Sequence, residues 1–465
     1  MLGPRNPAVR MRWKPTQPTL QLPDPDSMVF PDRFQWGVST ASHQVEGMNS
    51  RSDWWRYERI PGNADNFFDF SEHTRDYKSD HWRQFESDIG LMAEGIGLNS
   101  YRFSLEWSRI EPEEGRFDDE VIERYAAMCR LMRTRGIEPM ACLFHWVSPD
   151  WIWDHDNERA TGWYHPSIVD RFARFAEKVI PALAPHVSQF LTLNEPNVYL
   201  YGGYSESVLC PGHTNEDEDL LDVYRHLLQA HVAAWKVIKQ ANPDAEVGIA
   251  NHISPFEPVS RWNPIEAWLA ARVEQGFSWS FPDAVRDGRF TLGTRKSRFI
   301  TEEVADLKGT VDFMGINYYQ PLWTKIAFKP SLTVDVQHPY SDDMRIWPDQ
   351  IYTAGFLDIL QIAHQRYGLP IHVLENGRSH PDDNQRREYI RQHLATLSHA
   401  INNKGVDVRG YYYWSLIDNQ EWGNGFVPRL GLYEVDYDTG QRTLRDSGQY
   451  YAEVIRQSHA KKATA

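Results

Sequence analysis

The chain has 465 residues, 41% hydrophobic and 24% charged, a balance that builds an ordinary globular core and argues against disorder or membrane spans. Its 49 Lys and Arg against 64 Asp and Glu leave a formal net charge of -15 with no basic run, so neither a nucleic-acid nor a membrane partner is expected. Three cysteines, Cys129, Cys142 and Cys210, form an odd set without CxxC spacing; this disfavours a disulfide framework or a zinc site and fits a reducing, cytoplasmic compartment.

Residues 1–28 open with MLGPRNPAVRMRWKP and carry no apolar stretch after their basic residues, so they read as a Pro-rich arm and not as a secretory signal. From 29 to 465, short apolar runs alternate with segments of helical period. The first run, FQWGVSTA (34–41), reads as a strand. In SDHWRQFESDIGLMAEG (79–95), Trp82, Phe85, Ile89 and Met92 share a helical face, and Ser79 is placed to cap it. Further strands are expected at NSYRFSL (99–105), IEPMACLF (137–144), SQFLTL (188–193) and AEVGIA (245–250). Before the last of these, a helix over 219–240 turns Leu220, Tyr224, Leu227, His231, Trp235 and Ile238 inward. VDFMGINYY (311–319), PIHVLE (370–375) and RGYYYWSL (409–416) complete eight strands, with a helix over 387–405 showing Ile390, Leu394, Leu397 and Ile401 ahead of Gly405. Eight alternations predict a single (β/α)8 TIM barrel with long βα loops. An open doubly wound sheet is the alternative, but no G-x-G-x-x-G or P-loop follows any strand.

In such a barrel function sits at the C-terminal strand ends. In chain order these carry His43 and Gln44, Arg102, His145 and Trp146, Asn194 and Glu195, Asn251 and His252, Asn317 with Tyr319, Glu375 and Asn376, and Trp414. Each could be a satisfied structural group, yet polar or aromatic residues at all eight ends predict one polar pocket. The 18 Trp point the same way, since aromatic faces match the C–H faces of sugars, although they are equally good core material.

Glu195, where TLNEP leaves its strand, and Glu375 stand on the fourth and seventh strands, which a small barrel can aim into one pocket. Two carboxylates on one substrate is the arrangement that breaks a glycosidic bond, with retention at a gap of about 5–5.5 Å and inversion at about 6.5–9.5 Å. The chemical competitors are weaker. His145, His252, Glu195 and Glu375 could be imagined as metal ligands, but no HExxH exists, and no G-x-S-x-G supports a serine hydrolase. No metal or cofactor is expected.

The stretches FPDRFQWGVSTASHQVEG (30–47), YRFSLEWSRIEP (101–112), LFHW (143–146), TLNEP (192–196), GINYY (315–319), LENG (374–377) and YWSLIDNQEW (413–422) resemble the signature set of glycoside hydrolase family 1, in order and over about residues 30 to 450. The resemblance implies a retaining exo-β-glycosidase, foremost a β-glucosidase, with a small-molecule β-glycoside or oligosaccharide as substrate. It implies Glu195 as acid/base and Glu375 as nucleophile, with Arg102 and Tyr319 holding Glu375 charged and oriented. Once Glu375 is esterified its charge is gone, and Glu195 can turn from acid to base. Asn194 would bind the 2-hydroxyl, while Gln44, His145 and Glu421 would bind outer hydroxyls. Trp146 and Asn317 would complete that subsite, Trp414 and Trp422 would meet the ring, and Trp347 would line the aglycone side. A transglycosylating β-glycosidase and a non-catalytic sugar-binding barrel are the alternatives.

Three departures from the family's pattern stand out: HWVSP where HW-D-L-P is usual, NQEW for NFEW, and Ser207 where a Gly is common. The Ser and Lys with which phosphoglycosidases hold a 6-phosphate are not evident, which disfavours a phosphorylated sugar.

Overall fold

The computed structural model describes residues 27–60, 63, 79–214, 217–260, 262–293, 299–328, 332–337, 341 and 343–463. Eight parallel strands close into a barrel in chain order: β1 (Gln35–Ser39), β2 (Ser100–Ser104), β3 (Glu138–Phe144), β4 (Gln189–Asn194), β5 (Glu246–His252), β6 (Phe313–Asn317), β7 (Ile371–Asn376) and β8 (Val408–Trp414). The closure is β8 against β1, where Gln35 to Ser39 pair with Gly410 to Trp414. All eight expected runs form these strands, and nearly every strand residue is buried, as it must be in a parallel sheet covered by helices.

The barrel is filled by its own apolar cluster, Met140, Cys142, Leu191, Ala250, Phe313, Leu374 and Tyr412, contributed by six strands and separate from the larger layer under the helices. Gly37 makes room for it: a Cβ there would lie 2.3 Å from the Tyr412 ring. The helices over Asp217–Ala241 and Asp383–Lys404 appear where periodicity placed them, the second closed by Gly405 at φ 68. His231 on the first is a satisfied core histidine, bonded to Thr192 Oγ1 at 2.6 Å and Thr310 Oγ1 at 2.8 Å.

The expected N-cap fails at Ser79. The helix His81–Gly90 starts from Asp80 in the left-handed conformation, without a side-chain cap, and the Ser79 hydroxyl donates instead to Asp418 O at 2.9 Å. A distant loop carbonyl has outcompeted the local amides. Of the arm over 1–28, all but Ser27 and Met28 lies outside the described residues. Ser207 adopts φ 51, which explains why glycine suits this turn.

Long insertions stand on the C-terminal side of the barrel. Between β5 and β6 lie the helices Pro264–Phe277 and Ser280–Asp287 and a hairpin, Arg289–Gly293 with Phe299–Glu303. After β6, a second hairpin, Leu322–Phe328 with Leu332–Gln337, pairs with Phe256–Pro258. Among the described residues no helix is long and apolar enough to cross a membrane.

Candidate active site

β4 ends at Asn194, and the next residue, Glu195, turns the chain with φ 40 and ψ 56 before a short helical turn, Pro196–Val198. Pro196 at the first helical position forfeits no hydrogen bond. The Glu195 amide stays tied to β5, donating to Ala250 O at 2.6 Å, so a residue beyond the strand is still held by the barrel. Glu195, Trp146 (φ 68) and Trp422 (φ 45) are three of seven non-glycine residues with positive φ among those described. Strain of this kind concentrates where side chains must be aimed.

Glu375 reaches the same pocket from within β7. Its neighbour two residues on, Gly377, is required by packing, since a Cβ there would lie 1.9 Å from Trp414 O. Both glutamates are buried, and one chain of hydrogen bonds joins them. Arg102, fully buried on β2, contacts Glu375 Oε1 through one guanidinium nitrogen and donates to Asn194 Oδ1 at 2.5 Å through another. Asn317 Nδ2 donates to Asn194 Oδ1 at 3.1 Å and to Glu195 Oε1 at 2.8 Å. The Tyr319 hydroxyl donates to Glu375 Oε2 at 2.8 Å.

The electrostatics follow from this arrangement. Glu375 is pushed up to about 7: burial raises it most, the Arg102 guanidinium pulls against that, and the nearby charge of Glu195 adds to the rise. Burial and the Glu375 charge hold the Tyr319 hydroxyl far above its usual range, so it remains a donor. The two groups that donate to Glu375, Arg102 and Tyr319, both favour its charged form. His145 is driven well below the usual imidazole range by burial and by Arg102, and is neutral. Its Nε2 lies 3.0 Å from Asn194 Nδ2, which can only donate, so the ring proton is assigned to Nδ1.

Among the buried polar atoms without a partner in the described residues, three belong to the side chains expected to meet the sugar: His145 Nδ1, Gln44 Oε1 and Asn317 Oδ1. Buried polar atoms are almost always paired, so a donor and two acceptors left over in one pocket mark where a polyhydroxylated ligand binds. Gln44 sits beyond β1 in the turn Ser42–Val45, its amide nitrogen 2.5 Å from Gln420 O and 3.5 Å from Glu421 Oε2.

Trp414 packs with Tyr319, Ala41 and Leu430, and Trp347 leans on Tyr319 with ring centroids 4.5 Å apart. Trp422 lies 5.8 Å from the His145 ring and 4.9 Å from Trp146. The Trp146 indole donates to Asn194 O at 3.0 Å, which ties the end of β3 to the end of the strand leading to Glu195. The expected site residues are therefore brought together.

One strand-end residue to which the resemblance gave no role also joins the site. His252 Nδ1 lies 3.1 Å from Glu195 Oε1, while Nε2 is 3.0 Å from Ser254 Oγ. The signal for it was its place at the end of β5, the strand adjoining the one that carries Glu195.

Glu421 is a third carboxyl in this pocket, pushed up to about 8 by burial first and by the Glu375 charge second. A raised carboxyl contributes stability below its unfolded value, near 4.5, that is lost as pH rises through the folded one. Glu421→Gln should therefore gain stability over wild type between pH 5 and pH 9, with no advantage at pH 4. Glu421 is only partly buried at the pocket wall, so the gain is discounted to about 1 kcal/mol. Melting temperatures across that pH range check it, and an advantage that shrinks with rising pH would contradict it.

A closed barrel with two buried, hydrogen-bond-linked glutamates at the C-terminal mouth is the architecture of a carboxylate glycosidase. The sequence pattern described as Glycosyl hydrolase family 1 matches residues 26–460, and the chain belongs to that family. It is 32% identical to "Beta-glucosidase A" of Acetivibrio thermocellus, over 92% of this chain and 98% of that one. It is 30% identical to "Beta-glucosidase A" of Thermotoga maritima over the same shares. Its fold superposes on the beta-glycosidase from Pyrococcus horikoshii with a TM-score of 0.80 and 33% identity, covering 93% of this chain and 96% of that chain. The enzyme is a retaining exo-β-glycosidase.

Proposed function

We propose that the principal substrate is a β-D-glucoside, cleaved at its non-reducing end, with tolerance of galactose or fucose. The observation that carries the residue roles is the unbroken link Glu375–Arg102–Asn194–Asn317–Glu195. In the first step Glu375 attacks the anomeric carbon. The glycosidic C–O bond breaks, its electron pair leaves on the aglycone oxygen, and that oxygen takes the proton of Glu195. In the second step water gives a proton to Glu195 and attacks the same carbon, and the ester bond returns its pair to Glu375. Two inversions give net retention.

His145 Nδ1 donates to an outer hydroxyl, Gln44 and Glu421 accept from others, and Asn194 binds the 2-hydroxyl, where bonds tighten in the transition state. Trp414 supplies the face under the ring, Trp422 its edge, and Trp347 the aglycone wall. The names of the Acetivibrio and Thermotoga relatives support glucose as the sugar. Cytoplasmic placement is supported by Cys129, Cys142 and Cys210, each a buried thiol.

Initial rates on aryl β-glucoside, β-galactoside, β-fucoside, β-mannoside, β-glucoside 6-phosphate and α-glucoside test the reading. The β-glucoside should show the highest kcat/KM, and the α-glucoside and the phosphorylated sugar none. A β-mannoside or β-galactoside turned over faster than the glucoside would reassign the sugar.

A further inference from the structure

Two of the departures from the family's pattern meet on one six-residue helix. HWVSP puts Ser148 two residues after Trp146, and NQEW puts Gln420 just before Glu421. The helix Asp53–Glu58 touches each with a buried carboxylate at opposite ends. Asp53 Oδ1 accepts from the Ser148 amide at 3.0 Å, and the Asp53 amide donates to Ser148 O at 2.9 Å. Glu58 Oε1 accepts from Gln420 Nε2 and pairs with His43 Nε2 at 2.9 Å. Between them, Trp54 donates to Trp146 O at 3.0 Å and packs 4.5 Å from Trp422. The His43 ring lies parallel to Trp422, with an interplanar angle of 3° and centroids 5.9 Å apart.

Of the groups gripped by this helix, Trp146, Gln420 and His43 each adjoin a sugar-facing side chain, and Trp422 is one itself. Gln420 is the most direct. Its carbonyl accepts from Gln44 Nε2 at 2.5 Å and its amide donates to Gln44 O at 3.4 Å, so whatever fixes the Gln420 backbone fixes Gln44. Glu421 and Trp422 follow it in the chain. A phenylalanine at 420 would hold this backbone by non-directional packing. A glutamine bonded to a buried carboxylate holds it by geometry, because a charge-assisted hydrogen bond fails over a few tenths of an ångström. The carboxylate is itself fixed by His43, and breaking either end strands a buried polar or charged group.

We propose that the helix Asp53–Glu58 is a specificity-determining brace of the sugar subsite, in which the Gln420–Glu58–His43 contact positions Gln44, Glu421 and Trp422 against the outer groups of the sugar. This rests on the β-glycosidase reading given above. Gln420 and Glu58 are positioning residues: they touch no substrate and act through Gln44 and Glu421.

The test uses Gln420→Leu, Glu58→Gln and the double variant. For each, kcat/KM on an aryl β-glucoside and on an aryl β-xyloside, which lacks the hydroxymethyl group, is measured in one preparation. Their ratio does not depend on how much of the protein is folded. The brace predicts a glucoside-to-xyloside ratio at least threefold below wild type in each single variant, through a raised KM on the glucoside with kcat little changed. The double variant falls no further than the more affected single one, because both break the same contact. A ratio within threefold of wild type in both single variants, with only a lower melting temperature, overturns the proposal, as does a multiplicative loss in the double. Should Glu58→Gln not fold, Gln420→Asn, too short to reach Glu58, is read by the same criterion. Wild-type rates on the two substrates, taken alongside, test the glycosidase reading separately.

Discussion

Glu375→Ala should lower kcat/KM on an aryl β-glucoside by at least about 10⁴-fold while sugar binding stays within about tenfold. Losing a covalent nucleophile removes the intermediate, and comparable knockouts in hydrolases cost up to about 10⁶. The sugar's hydrogen-bonding partners are left in place: His145, Gln44 and Glu421 do not depend on Glu375 for their contacts. Arg102 does, since it keeps Asn194 but loses its counter-charge, so the variant should also melt lower, although removing a carboxyl that burial holds raised offsets part of that loss. The space left by the carboxylate, still facing the Arg102 cation, should admit a small anion. Added azide would then attack from the Glu375 side and give an α-glycosyl azide, a single inversion. Unchanged turnover would sink the nucleophile assignment, and rescue as a β-glycosyl azide would place the nucleophile elsewhere.

The barrel was legible because its signals are local and repeated: eight apolar runs, each long enough for one strand, and helices with periodic faces such as Tyr224 to Ile238. The pocket was legible because barrel topology turns strand ends into neighbours, so Glu195 and Glu375 needed only the right strands to meet. What stayed hidden depends on contacts far apart in sequence. Ser79 looks like a cap until the carbonyl of Asp418 takes its hydroxyl. Nothing near Trp146 in the sequence shows that its indole is bonded to Asn194 O. Glu58 carries no motif, and its meaning appears only with Gln420 and His43 packed against it.

Glu195→Ala should divide substrates by leaving group. With an alkyl glucoside or a disaccharide, departure of the aglycone oxygen needs a proton, and kcat/KM should fall by about 10³–10⁴, within the range for positioned acid catalysis. With a nitrophenyl glucoside the departing oxygen needs little help, so glycosylation of Glu375 should proceed within about tenfold of wild type. Hydrolysis of the ester then lacks its base, and the glycosyl-enzyme should accumulate with a burst of phenolate. Azide needs no deprotonation to attack, so it should raise the steady-state rate and yield a β-glycosyl azide, the product of two inversions and the mirror of the Glu375→Ala outcome. Asn317 and His252 both contact the Glu195 carboxylate, whereas the Glu375 carboxylate is held by Arg102 and Tyr319, so the loss should stay on the proton-transfer steps. Equal losses on both kinds of leaving group, without a burst, would contradict an acid/base role and leave Glu195 as a residue that merely shapes the pocket. The paired azide products would also separate the enzyme from a binding-only barrel, which has no bond to make in either variant.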